Sequence, residues 1–264
     1  MKTSRIKNII IVILALVNAF LLVLLLSRQN QQRSSYERSV EQLSLLLAKN
    51  GIAFDPSLLP GKASLPAAEL THDGAAEAAF ARALLGGDAA VRSVSGGGSV
   101  YESEFGSLQF RANGTVDGKV SRPAEDLPEL LRGTLSDFGY RLDAAASGDT
   151  GTVSAVREAE GVKIFNAPLT FTLESGVLTS VSGSFLSSVT LASSAIDADA
   201  VSALVRFLDY RNSNGLVCTE ITSVECGYLL QSSAASAALV PAWHITTDVS
   251  EYYVNSATGE ILRE

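Results

Sequence analysis

Asn18 is the one polar side chain in the run IIIVILALVNAFLLVLLL, residues 9–26. An amide inside a membrane is stabilised by an interhelical hydrogen bond, worth about 0.6 kcal/mol on average and up to about 1.7 kcal/mol. Ala15, Asn18, Ala19 and Leu22 stand at i, i+3, i+4 and i+7, so they share one helix face. Ala15 and Ala19 form a small-xxx-small pair that lets a second helix approach closely. These four residues are the candidate contact for a partner's membrane helix. The bland alternative is an amide bonded to its own backbone beside incidental alanines.

The remaining chemistry-bearing residues do not assemble into a catalytic pattern. There is no Gly-x-Ser-x-Gly elbow, no His-Glu-x-x-His and no phosphate-cradling glycine loop, and Gly96-Gly97-Gly98 lacks a following Lys and helix. The paired acids Glu125-Asp126 suit the first turn of a helix, where they favour its dipole, and Asp197 and Asp199 suit an N-cap region. His72, His244, Cys218 and Cys226 are too scattered to read as a metal cluster. No catalytic, cofactor-binding or metal residues are therefore expected, and the chain is not read as an enzyme. In one straight strand Cys218 and Cys226 would sit about 26 Å apart. A bridge needs Cα atoms within about 7 Å, hence a tight reversal near Thr222–Ser223. Two core thiols are expected, with the bridged form left open. Trp243, Tyr252 and Tyr253 read as core, with a peptide groove as the alternative. His244 should point away from the face of Trp243.

The elements that position these residues begin with the apolar run itself. Eighteen residues span about 27 Å as a helix, close to the ~30 Å hydrocarbon core. Lys2, Arg5 and Lys7 precede it, and no acid occurs before residue 27. The positive-inside rule then gives a cytoplasmic stub over 1–8, a transmembrane signal anchor over 9–26 and an extracytoplasmic remainder. A cleaved signal peptide is the competing reading, but LLLSRQNQQ offers no small-x-small site. Beyond the anchor, 28 acids face 17 of the chain's 20 bases, a net charge of −11. That balance argues against nucleic-acid binding, which needs clustered Lys and Arg.

Residues 27–51 read as a juxtamembrane helix. Tyr36, Val40, Leu43 and Leu47 form an a/d-like stripe, a candidate juxtamembrane contact, and Asn50-Gly51 stops the helix. A Pro-punctuated linker is expected over 52–73. Three rounds of helix followed by strand-like runs come next. An N-terminal α+β region over 74–194 divides into modules of about 74–122 and 123–194, and a C-terminal module covers 195–264. Asn113-Gly114 and the turn ending at Gly259 are expected hairpin reversals. The fold class expected is α+β: an N-terminal transmembrane helix, then repeated modules of one helix on an antiparallel sheet.

LVPAWHITTDVSEYYVNSATGEIL, residues 239–262, resembles the closing strands of PepSY-like domains, with a Pro-x-Trp strand, a Tyr-Tyr-Val-Asn strand and a Thr-Gly-Glu hairpin. The anchor with its mid-membrane Asn, followed by NGIAFDPSLLP, resembles the YycH and YycI regulatory proteins of Gram-positive bacteria, and the chain's shorter length favours the YycI type. Recognisable sequence covers about 60 residues at the two ends. The resemblance implies a single-pass cell-membrane protein with PepSY-like extracytoplasmic modules and no cofactor. The partners it implies are the sensor histidine kinase of a cell-wall two-component system and a sister YycH/YycI-like protein. A PepSY-like module that binds peptides or a secreted peptidase is the alternative.

Overall fold

A computed structural model describes residues 17–18, 20–22, 35–61, 63–94, 97–123, 127–144, 150–232 and 237–263. The expected stub and most of the expected anchor lie outside the described residues. Residues 17–18 and 20–22 are helical and exposed. Among the described residues no helix is long and apolar enough to cross a membrane. The chain separates into two units, Met1–Pro56 and Ser57–Glu264.

The first unit carries helix α1 over residues 35–49 and a short strand β1 (Ala53–Phe54). Leu43 and Leu47 are buried, Tyr36 and Val40 half-buried, while Leu45 and Leu46 are exposed. The apolar spacing therefore does mark the inward side of α1. The helix ends where the Asn50 side chain donates to the Leu46 carbonyl at 2.8 Å and Gly51 takes φ +75°.

In the second unit β2 (Ala63–Thr71) comes first, followed by α2 (Gly74–Leu85), β3 (Ala90–Val94), β4 (Gly98–Ser103), β5 (Gly106–Phe110) and β6 (Thr115–Pro123). A second helix-led series follows: α3 (Leu127–Asp137), β7 (Tyr140–Ala144), β8 (Gly151–Ala159), β9 (Val162–Lys163), β10 (Leu169–Glu174) and β11 (Val177–Ser184). Both series belong to one antiparallel sheet, in the order β3-β4-β5-β6-β11-β10-β8-β7, with β9 on β8. The first strand of each series lies at an outer edge, and the last strands meet at the centre, Asp117 opposite Ser182. Strand alternation sets the buried face. Leu169, Phe171 and Leu173 are buried, whereas Thr170 and Thr172 are only half-buried. Phe80 of α2, Leu131 and Leu135 of α3, and Phe185 join one continuous core with that face. The two rounds of helix and strands thus share a sheet and a core.

The second sheet is built from β2, β12 (Ser188–Ala198), β13 (Glu220–Ser232), β14 (Ala237–Thr247), β15 (Glu251–Asn255) and β16 (Ile261–Arg263). Helix α4 (Ala200–Ser213), capped by Asp199, contacts β14 and β15. Two expected boundaries change here. The segment 52–73, expected as a linker, contains β2, which pairs with β12 and touches β14. Pro56, Pro60 and Pro66 make this stretch read as an extended linker. The strand accommodates Pro66 because the register shifts between Leu191 and Ala195, and Ala195 then faces that proline. The expected boundary at 194/195 falls inside β12. Both cysteines are free, Cys218 buried just before β13 and Cys226 half-buried within it. No reversal occurs near Thr222–Ser223; β13 passes through with only a register shift between Ile221 and Ser223.

Candidate functional site

The start of α2 places a carboxylate where the core should be apolar. Asp73 caps the helix, its Oδ1 accepting from the amides of Ala75 at 2.9 Å and Ala76 at 3.2 Å. The Asp73 amide donates to Ser187 Oγ at 2.9 Å, and that hydroxyl donates to the Thr71 carbonyl at 3.2 Å. Strand end, cap and the β11–β12 connection are thereby tied together. One turn on, Glu77 lies at i relative to Phe80, Ala81 and Leu84 at i+3, i+4 and i+7. All three apolar residues are fully buried, and Glu77 is buried with them at 2 % exposure.

Glu77 Oε1 lies 2.9 Å from His72 Nδ1. Its Oε2 is buried and has no hydrogen-bond partner among the described residues. Burial raises the Glu77 pKa above its ordinary value; His72 opposes that rise and the Asp73 carboxylate adds to it. The Tyr101 hydroxyl pKa is raised too, first by burial and then by the charge of Glu77. Glu77 lines a cavity of about 290 Å³ whose walls include Leu70, Ala112, Phe185, Leu186 and Ala237. The His72 side chain, 44 % exposed, also lines it. The arrangement is a buried carboxylate, one oxygen of which lacks a partner among the described residues, beside a recess lined by apolar and polar side chains alike. Such an oxygen takes a hydrogen-bond donor, preferably a charged one.

A second cavity, of about 200 Å³, lies between α4 and the second sheet. Trp243 Nε1 and Ser256 Oγ, both buried, lack partners among the described residues, and both residues line it. Its charged groups are already engaged. The Asp199 carboxylate accepts from the Val201 and Ser202 amides and the Ser202 hydroxyl, while Arg206 donates to the Thr258 carbonyl.

Of the residues expected to contact a partner helix, Asn18 and Leu22 are helical and exposed, and Ala15 and Ala19 lie outside the described residues. Trp243, Tyr252 and Tyr253 are buried. Tyr252 meets Phe207 of α4 at a ring-centroid distance of 4.9 Å, so it belongs to the helix-covered face. His244 occupies the opposite face from Trp243, stacked on Tyr253 at 4.7 Å and bonded to Glu251 through Nε2 at 2.9 Å. Among the described residues no group of three or more His, Cys, Asp or Glu side chains is placed to hold a metal. The Glu77 site was missed in the sequence reading, although a signal for it exists. GAAEAAFARALL carries a single acid, and that acid falls on the apolar stripe.

No protein-family model matches the chain. No curated protein matches it either. A crystal structure of an uncharacterized protein from Eubacterium rectale is similar at a TM-score of 0.44 and 10 % identity, covering 77 % of this chain and 81 % of that one.

Proposed function

We propose that the chain is a membrane-anchored extracytoplasmic regulator of the YycI/YycH kind, which modulates a sensor histidine kinase of a cell-wall two-component system by direct contact. Residues 9–26 serve as a signal anchor whose Asn18 face meets a kinase transmembrane helix, and the PepSY-like modules outside receive or tune the signal. A sister YycH/YycI-like protein is the second partner. The observation that carries this reading is the packing of the C-terminal segment on which the resemblance rests. α4 lies against β14 and β15 with Tyr252 against Phe207, a single helix on an antiparallel meander.

Regulation of this kind requires that the chain bind two kinase conformations with different free energies; binding both equally would shift nothing. The test is recovery of a sensor histidine kinase with the full-length chain from host membranes. The alternative, a PepSY-like module that binds peptides or a secreted peptidase, is favoured by one observation, the recess beside Glu77. A secreted peptidase recovered in the kinase's place would support it.

A further inference from the structure

We propose that the outer face of the first sheet is a contact between two copies of this chain, related by a two-fold axis that runs along β5 at Ser107. The proposal rests on neither functional reading above, since it uses only residues of this sheet.

Strand alternation fixes the face. Leu108, Phe110, Val116 and Val120 join Phe80 of α2 in the core. Ser107, Gln109, Asp117 and Lys119 alternate with them and lie on the other side. With Arg92 and Glu102 they line one open depression of about 560 Å³. Register then sets the charge pattern. Glu102 faces Ser107 and Ser107 faces Lys119, a row reading negative, neutral, positive across β4, β5 and β6. In the next row Arg92 faces Val100, Val100 faces Gln109 and Gln109 faces Asp117. That row reads positive, neutral, neutral, negative. Both rows reverse sign from one side to the other, the first about β5 and the second about a line half a strand spacing away, roughly 2.4 Å.

A two-fold contact is isologous, so the surface must complement itself. Turning a second copy about an axis along β5 keeps each row in place and reverses its order. Glu102 of one copy then meets Lys119 of the other, twice over. Arg92 comes within one strand spacing, ~4.8 Å, of Asp117 of the other copy, inside the reach of its arm. The charges are not locked within the chain. Arg92 and Glu102 stand 3.6 Å apart with their side chains 71 % and 59 % exposed, and Arg111, which bonds Asp117, is 46 % exposed. Pairs so exposed contribute little and exchange readily for others. The two rows hold no single-sign cluster to select a polyion and no leucine or aromatic side chain to seat a helix. A balanced, antisymmetric charge pattern suits a second copy instead.

The test is cross-linking of the full-length chain in detergent micelles with a short bis-maleimide. Ser107→Cys puts a thiol on the axis, opposite its own copy, and should give a two-copy product well above wild type, whose two free thiols set the background. Thr152→Cys, exposed on β8 at the far end of the same row, should stay at background. With Ser107→Cys in both copies, adding Glu102→Lys or Lys119→Glu should each lower the product about tenfold. Mixing those two variants should restore it, because each reversed charge then meets the opposite sign; misfolded copies would not recover. No excess from Ser107→Cys, the outcome for a face left to water or kept for a different partner, overturns the proposal. So does equal product from Thr152→Cys, which would place the association elsewhere in the chain, or a mixture no better than either variant alone.

Discussion

The Tyr140 hydroxyl accepts a hydrogen bond from the Leu186 amide at 2.7 Å and donates to the Ser184 carbonyl, also at 2.7 Å. It does so where the chain leaves β11 and heads for β12, the step from one sheet to the other. The ring is stacked on Phe185 at 6.1 Å and has the Arg157 guanidinium 5.4 Å from its centroid. Burial pushes the hydroxyl's pKa well up, so Tyr140 stays neutral and serves as both donor and acceptor. Tyr140→Phe would keep the ring and leave two buried backbone groups without partners. A loss of about 1–3 kcal/mol is expected, measured by urea denaturation of the full-length chain. A change within error would show that water replaces the hydroxyl.

Gly259 closes the last hairpin at φ +75°, its amide donating to the Asn255 carbonyl at 2.8 Å. A Cβ there would collide with the Arg206 guanidinium. That arm is flexible and can swing away, so the collision is the smaller term; the backbone strain remains. Gly259→Val should destabilise by about 1–3 kcal/mol. Gly259→Ala paired with Arg206→Ala removes the collision and should retain most of the alanine variant's loss. Full recovery in that pair would assign the effect to the collision.

Both thiols should react without reductant once the chain is unfolded. In the folded protein Cys226 should label slowly near neutral pH, because burial pushes its thiol up to about 11. Cys218 is buried just before β13, and its pKa is likewise raised by burial. Labelling of the denatured chain that requires prior reduction would contradict two free cysteines.

Glu77 makes stability pH-dependent in a defined direction. Burial dominates at Glu77, raising its folded pKa from the ordinary 4.5, with His72 opposing the rise and Asp73 adding to it. Between 4.5 and the raised value the folded chain holds more protons than the unfolded chain. Stability therefore falls as pH rises through that window and is not regained above it. Relative to Glu77→Gln, wild type should lose melting temperature across the window. Parallel curves would show that Glu77 titrates as it does in the unfolded chain.

The parts of the fold legible in the sequence were those set by local chemistry. Gly74–Leu85 reads as a helix ended by Gly86-Gly87, and the helix occupies those residues with Gly86 at its end. Asp199 reads as a cap and its carboxylate does cap α4. Asn113-Gly114 reads as a turn, and the Asn113 side chain accepts the Thr115 amide at 3.1 Å. Non-local pairing was not legible. β2 reads as a linker because nothing near Pro66 reveals the bulge of β12 that faces it. The merging of two helix-led series through β6 and β11 depends on partners about 60 residues apart, such as Asp117 and Ser182. The Glu77 site was hidden because its meaning depends on burial: the same acid in a first turn on a solvated face would be an ordinary complement to the helix dipole.

The central claim, that the anchor pairs with a kinase helix, is tested most directly by co-purification from host membranes. A sensor histidine kinase should be recovered with the full-length chain. Asn18→Leu should weaken recovery by a factor of about 2–30, corresponding to ~0.5–2 kcal/mol. Ala15→Leu with Ala19→Leu should weaken it again by holding the helix backbones apart, and Leu14→Ala with Leu21→Ala should matter less. Equal recovery across all of these variants, or no sensor histidine kinase in any of them, would contradict it.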